Sequence, residues 1–176
     1  MEKRKVLVPL NGSDFGRQIF PIIARFLSPT ENDLILLRVG EHVTGLVGTP
    51  PRPAGADGMV MSYDTVQDAQ MAAHPIYASQ ERDSALAEFI ADTKDDVRPL
   101  EEAGFDITFD MRFGDRGEEI VNFANSQNVD MIAMTTHWRT GINRLLFGNT
   151  VQSIVPRVKV PLLMLRPEDG HEYENN

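Results

Sequence analysis

Short apolar runs alternate along the chain with stretches whose apolar residues recur every three or four positions. The runs predict strands, mostly buried on both faces as in a parallel sheet, and the 3–4 spacing predicts helices with one apolar face. The strands are predicted at residues 5–10, 33–39, 106–113, 130–134 and 160–165, and the helices at 15–27, 79–103, 114–128 and 149–157. Strands that alternate with helices in this way predict an α/β fold, a parallel sheet with helices on both faces.

The first helix follows a polar turn, in which Ser13 or Asp14 is expected to cap it. Its apolar positions fall on one face, and Pro21 should lie near the helix start or kink it. The residues expected on that face are Phe15, Ile19, Ile22, Ile23 and Phe26.

The second helix is the longest, and Gly104 follows it where a C′ glycine belongs. Pro99 is expected to bend this helix near its end. The predicted apolar stripe consists of Leu86, Phe89, Ile90, Val97 and Leu100. In the third helix, Glu118 and Glu119 fall in the first turns, where the helix dipole favours acids.

Residues 40–78 carry five glycines and four prolines. They show neither the apolar runs of strands nor the 3–4 spacing of helices. Gly and Pro at this density oppose helix and strand alike, and the stretch is far longer than a usual connection. We interpret it as an irregular insertion, either a lid or partner surface that uses Met59, Met61 and Met71, or a loop that is partly disordered and partly packed over the strand ends. Residues 1–166 are predicted to form a single domain, and residues 167–176 an acidic tail without regular structure.

Composition narrows the class of protein further. The 176 residues contain no cysteine, which excludes disulfides and thiolate zinc sites. A net charge of −9 argues against a partner that is nucleic acid. No apolar run approaches the roughly 20 residues that span a membrane, and none follows the basic N-terminus as a signal sequence would, so we expect a cytoplasmic protein that does not bind membranes.

Ligands of open parallel sheets bind beyond the carboxyl ends of the strands. That rule selects four segments: residues 9–13, Val39, residues 114–117 and residues 134–150. The last segment joins a strand to a helix and contains Arg139 and Arg144 but no acid after Met134, a local charge that suits an anion at a helix start. It lacks the Gly-Lys-Ser/Thr of a Walker loop.

Several motifs in this order resemble the universal stress protein family. They are Val6 to Ser13 (VLVPLNGS), Gly114-Asp115 with Glu118 to Val121, Val129 to Met134, His137 to Gly141 (HWRTG), Arg144 to Gly148 (RLLFG) and Val160 to Arg166. The resemblance covers nearly the whole chain outside the insertion and the tail.

The resemblance implies a Rossmann-like three-layer sandwich with a five-stranded parallel sheet, and a homodimer that pairs through the last strand, Val160 to Leu165. One branch of the family binds ATP, with Mg²⁺ as a possible companion, through Gly-x-x-Gly-x9-Gly-Ser/Thr after the fourth strand and an Asp after the first. The candidate nucleotide-binding residues are then Pro9, Leu10, Asn11, Val39, Met134, Thr135, Trp138, Arg139, Gly148, Asn149 and Thr150.

This chain departs from the ATP-binding pattern at four positions. Thr135 and Trp138 stand where the first two motif glycines belong, Asn149 where the Ser/Thr belongs (Thr150 follows), and Asn11 where the Asp belongs. Asn11 still offers a donor and an acceptor. Thr135 adds a Cβ where backbone must approach the ligand. The Trp138 indole is the largest change, and it would fill the site, turn outward or stack on a base.

Three functions remain open: a stress-response regulatory protein with a degenerate adenine-nucleotide site, a functional ATP binder with slow or no hydrolysis, and a protein-interaction module with a plugged pocket. No catalytic constellation is readable, so at most weak ATP hydrolysis is expected. His137 is interpreted as a surface residue of the motif loop, and the other histidines lack metal-ligand spacing.

Overall fold

The computed structural model describes residues 2–40, 75–136, 138–139 and 146–167, with backbone alone at 75–81, 138–139 and 146–147. Most of the predicted insertion, His137, Arg144 and all but the first residue of the predicted tail lie outside the described residues. Among the described residues, no helix is long and apolar enough to cross a membrane.

Five strands form one parallel sheet in the order β3-β2-β1-β4-β7. They are β1 (Arg4–Leu10), β2 (Asn32–Gly40), β3 (Ile107–Phe113), β4 (Met131–Thr135) and β7 (Leu162–Leu165). Two short strands, β5 and β6, lie between β4 and β7 in the chain and are described below. The central strand β1 pairs on both sides, since Val6 lies opposite Leu34 of β2 and Met131 of β4. All five strands that the apolar runs predicted are confirmed.

Helices cover both faces of this sheet. They are α1 (Asp14–Arg17), α2 (Ile19–Phe26), α3 (Pro75–Glu102), α4 (Arg116–Ser126) and α5 (Asn149–Ile154). Because side chains alternate along a strand, Val6 and Val8 pack in the core beneath α2 and α3, whereas Leu7 packs beneath α4 and α5. The three-layer α/β sandwich is therefore confirmed.

The first predicted helix is broken at Gln18 into α1 and α2, and Pro21 lies near the start of α2. The assignment of Phe26 to the buried face was wrong, since it is 66% exposed and lies against the guanidinium of Arg25. Phe20 fills the core instead. Ser13 occupies the N-cap position of α1, but its side chain makes no capping hydrogen bond.

Helix α3 begins four residues earlier than predicted, at Pro75, and runs through Pro99. Ile90 is exposed, which corrects its assignment to the stripe, and Thr93 is buried in its place. The Thr93 hydroxyl donates to the Phe89 carbonyl one turn back, so the buried polar group is satisfied. Gly104 has φ +97° and closes the helix as predicted.

A hairpin that the pattern did not predict follows β4. β5 (Trp138–Arg139) and β6 (Leu146–Phe147) pair antiparallel, with Trp138 opposite Phe147. Strands this short carry no readable period. The hairpin leads directly into Gly148 and α5.

Candidate functional site

A cleft opens at the carboxyl edge of the sheet where the strand order reverses. From β1 the chain proceeds outward to β2 and β3, then returns to place β4 and β7 on the opposite side of β1. The helices that follow β1 and β4 therefore diverge, which leaves a crevice between the two strand ends. Pro9, Leu10 and Asn11 line it from β1, and Met134, Thr135 and Thr136 from β4.

The cleft combines a buried apolar floor with a polar wall and has a volume of about 130 Å³. The floor is built from both strands and helices on the α4 and α5 face: Leu37, Val39, Ile120, Met134 and Val151. The polar side chains along the wall are those of Asn11, Arg116, Thr135, Thr136 and Thr150. No carboxylate is present among the described residues that line the cleft.

The side chain of Asn11 is held in one orientation by the turn that follows β1. Its Oδ1 accepts hydrogen bonds from the Ser13 backbone N–H at 3.1 Å and from the Ser13 hydroxyl at 2.7 Å. Both lone pairs of the amide oxygen are thus engaged. The amide nitrogen has no partner among the described residues.

Thr136 is the most deeply placed polar residue of the cleft. Its backbone N–H donates to the Leu165 carbonyl at 2.9 Å, which extends the pairing of β4 with β7. The residue is 3% exposed, yet its hydroxyl has no hydrogen-bond partner in the part of the chain that the structure describes. An unpaired buried hydroxyl is costly, and functional sites are where such groups are retained.

Arg116 is the cation of the described cleft lining. It is the first residue of α4, directly after Asp115, whose carboxylate caps the helix by accepting from the Glu118 N–H at 2.9 Å. The Arg116 side chain is exposed and forms no ion pair with a described residue. Helix α4 packs against α5 at Gly117 and Ser153, and Arg116 of α4 and Thr150 of α5 both line the cleft.

An ion-pair cluster supports the turn that holds Asn11. Asp92 of α3 accepts from Arg38 at 2.7 Å and pairs with Arg17 at 2.9 Å. These hydrogen bonds from Arg38 and Arg17 lower the pKa of Asp92 below its ordinary value. Arg38 also stacks on Phe89 at 4.4 Å, and its guanidinium lies beneath Gly12 (φ +80°), 3.5 Å from where a Cβ would stand.

The structure brings together most of the residues expected at a nucleotide site. Eight of them line the cleft: Pro9, Leu10, Asn11, Val39, Met134, Thr135, Gly148 and Thr150. Asn149 begins α5 and is exposed outside this lining. Trp138 and Arg139 lie in β5, and their side chains are outside the described residues.

Five lining residues were not predicted: Leu37, Arg116, Ile120, Thr136 and Val151. Leu37 was readable, because it lies two positions before Val39 on the same face of a strand. Arg116 falls inside the segment 114–117 that the strand-end rule selected, but a single Arg beside two acids gave no reason to single it out. Among the described residues, no cluster of three His, Asp or Glu side chains is arranged to hold a metal.

Comparison with known proteins agrees with this architecture. The model of the universal stress protein family matches residues 3–166. Universal stress protein MJ0577 of Methanocaldococcus jannaschii is 29% identical over 73 residues, which cover 42% of this chain and 45% of that protein. The aligned segment thus spans less than half the length of this relative.

Solved structures show the same fold at low identity. The structure of MJ0577 superposes with a TM-score of 0.60 at 18% identity, covering 97% of this chain and 100% of that one. A universal stress protein in complex with cAMP (TM-score 0.52, 15% identity) covers 96% and 100%. A family member from Arabidopsis thaliana with AMP bound (TM-score 0.51, 13% identity) covers 94% and 92%. With a family model that spans nearly all of it, this chain belongs to the universal stress protein family.

Proposed function

We propose that this protein is a stress-response regulator that binds a nucleotide in the cleft between β1 and β4 and acts without turnover. One observation carries the proposal: the same cleft is lined by buried apolar side chains and by the cation Arg116. A nucleotide has the same two-part character, an apolar base and an anionic phosphate. The AMP and cAMP bound by two relatives of the same fold support an adenine nucleotide as the first ligand to test.

The two ends of the cleft take different parts of the ligand in this proposal. The base lies over Val39 and Met134 at the strand ends, and the phosphate lies toward Arg116 and Thr150. Charge-assisted hydrogen bonds from a guanidinium are about twice as strong as neutral ones, so Arg116 dominates phosphate recognition. Because the described lining offers no carboxylate, Mg²⁺ would be held by ATP phosphates rather than by the protein.

The site is degenerate in its affinity for ATP. Thr135 lines the cleft, where its Cβ limits how closely a triphosphate approaches the β4 backbone. Trp138 stands three residues further on, so Trp138→Gly tests whether the indole obstructs the ligand. A rise in ATP affinity would identify the indole as the obstacle, and an unchanged affinity would show that it does not obstruct ATP.

Calorimetric titration with AMP, ATP and adenosine tests the function. We expect AMP to bind and Arg116→Ala to weaken it by about tenfold while adenosine binding stays unchanged, because only the phosphate contact is lost. Arg98→Ala is the matched control, since Arg98 is an exposed arginine on α3 whose one ion pair with a described residue is that with Asp95. Absence of binding of all three ligands at millimolar concentration would refute the proposal.

We further propose that the protein works as a cytoplasmic homodimer that pairs through Val160 to Leu165. Strand β7 lies at the edge of the sheet, and its residue Met164 is 38% exposed. An edge strand offers unpaired backbone groups to a second copy. Sedimentation equilibrium of the wild type and Met164→Lys tests this, with a dimer expected for the first and a monomer for the second. A monomeric wild type would contradict it.

A further inference from the structure

We propose that Asn11 is a site of spontaneous deamidation, at which the turn after β1 promotes loss of the side-chain amide as ammonia and leaves aspartate or isoaspartate in the cleft. Asn11 and Gly12 lie between β1 and α1, and both are exposed. No other Asn-Gly pair occurs in the 176 residues. The reaction needs water and no ligand, so the inference goes beyond the proposed function and does not depend on it.

The reaction joins the Asn11 side chain to the backbone of the next residue. The Gly12 nitrogen gives its proton to a solvent base and forms a bond to the Asn11 Cγ. The bond from Cγ to the amide nitrogen breaks, and that nitrogen takes up a proton and leaves as ammonia. Water then opens the five-membered imide at either carbonyl, which gives aspartate or isoaspartate at position 11 with no change of oxidation state.

Two donors of Ser13 polarise the amide that is attacked. The Asn11 Oδ1 accepts from the Ser13 backbone N–H at 3.1 Å and from the Ser13 hydroxyl at 2.7 Å. This oxygen becomes negatively charged when the Gly12 nitrogen adds to Cγ, and donors already aimed at such an oxygen lower the barrier of acyl transfer. Because the two hydrogen bonds strengthen as the charge develops, they favour the transition state over the intact amide.

The attacking nitrogen of Gly12 is accessible. Its N–H forms no hydrogen bond with a described residue, and glycine has no Cβ to crowd the approach. Since the Asn11 Oδ1 bonds the N–H two residues further on, the side chain is folded back along its own backbone as in an Asx turn. That fold keeps the amide carbon beside the Gly12 peptide.

Asn125 and Asn128 are exposed asparagines at which the same reaction is impeded. Asn125 lies inside α4, whose helical backbone holds the nitrogen of the following Ser126. Asn128 precedes Val129, whose N–H donates to the Ala124 carbonyl at 3.0 Å and whose branched side chain crowds the nitrogen. Both residues therefore serve as internal references within the same sample.

The product changes the chemistry of the cleft. Asn11 lines it, and the described lining contains no carboxylate. Aspartate adds one negative charge there, and isoaspartate also adds a methylene to the backbone between β1 and α1. An aged preparation thus contains two forms of the site that differ in charge.

Peptide mapping by mass spectrometry tests the inference on the purified chain during incubation at neutral pH. The fraction of each asparagine converted to aspartate or isoaspartate is the measured quantity. We expect Asn11 to react at least about tenfold faster than Asn125 and Asn128, because only Asn11 combines a free glycine nitrogen with two donors on its amide oxygen. Conversion of Asn11 no faster than that of the two references would overturn the inference.

Ser13→Ala separates the contribution of the turn from that of the Asn-Gly sequence alone. It removes the hydroxyl donor and keeps the backbone N–H, and the Ser13 side chain makes no capping hydrogen bond to α1 that would be lost with it. We expect Asn11 to react about fivefold more slowly in this variant, while the rate at Asn125 stays the same. Circular dichroism verifies that the variant is folded. An unchanged rate at Asn11 in the folded variant would also overturn the inference.

Discussion

Ser153 of α5 packs so closely on Gly117 of α4 that a Cβ built on Gly117 would stand 2.6 Å from the Ser153 Cβ. This contact sets the spacing of the two helices that contribute Ile120, Thr150 and Val151 to the cleft. Because the glycine is buried in the first turn of α4, neither helix can shift away from the other without moving residues that line the cleft.

Gly117→Ala should therefore lower the free energy of unfolding by about 1–3 kcal/mol, since overpacking forces the helices apart. Urea denaturation at pH 7 measures the loss. The same substitution in a Ser153→Gly background should cost clearly less, because the atoms that clash are gone. An equal cost in both backgrounds would show that the helix–helix contact is not its cause.

Asp92→Asn should destabilise the protein at neutral pH by up to about 1 kcal/mol, since the carboxylate is partly exposed and pairs with Arg38 and Arg17. The native pKa of Asp92 lies below its ordinary value of 3.8 because both guanidiniums stabilise the charged form. The ion pairs thus stabilise the fold above that value, and their contribution disappears as the pH falls through the lowered native pKa.

Urea denaturation of the wild type and Asp92→Asn from pH 7 down to pH 2 checks this prediction. The difference between the two proteins should shrink at the acid end. Asp95→Asn is the control, because its carboxylate is 88% exposed and its one ion pair within the described part of the chain is with Arg98 at 3.6 Å. A difference that stays constant across the range would contradict the assignment.

Thr136→Val should leave the stability of the ligand-free protein unchanged or raise it by up to about 1 kcal/mol, because no partner among the described residues is lost and a buried hydroxyl is replaced by a methyl. Nucleotide affinity should fall if the hydroxyl serves the ligand. Denaturation and calorimetry on the same variant separate the two effects. A destabilisation above about 1 kcal/mol would mean that the hydroxyl is already satisfied within the protein.

Gly104→Ala should lower the free energy of unfolding by about 1 kcal/mol or more, since a residue with a Cβ is strained at φ +97°. The glycine N–H donates to the Glu101 carbonyl, and the Phe105 N–H to that of Leu100, which completes the termination of α3. Gly104→Asn should cost less, because asparagine tolerates positive φ better than alanine. Thermal unfolding followed by circular dichroism compares the three proteins, and equal midpoints would argue against backbone strain at this turn.

Much of the fold was readable from the sequence because strands buried on both faces leave uninterrupted apolar runs. The position of the cleft could be predicted as well, since β1 and β4 had to end at the same edge of the sheet. Periodicity does not show how many residues of an apolar helix face are covered by the sheet or by a neighbouring helix. Phe26 lies in phase with Ile19 and Ile23, but no sheet or helix of the described residues covers it, and the register of α3 placed Thr93 rather than Ile90 inward.

The chemistry of the cleft was less readable than its position. Asn11 was recognised as a candidate with one donor and one acceptor, yet only the hydrogen bonds from Ser13 decide which of them remains. Thr136 reads as one of two adjacent threonines, and its burial depends on the pairing with β7. Such properties belong to contacts between segments distant in the chain, and no local pattern encodes them.

The central place of β1 has a consequence for biosynthesis. The backbone N–H of Lys5 donates to the carboxylate of Asp130, which lies 125 residues further along the chain. A nascent chain on the ribosome can pair β1 with β2 and β2 with β3, but one edge of β1 stays open until β4 has been translated. That open apolar edge is the part of the emerging protein most exposed to aggregation, and the segment that a chaperone would best protect.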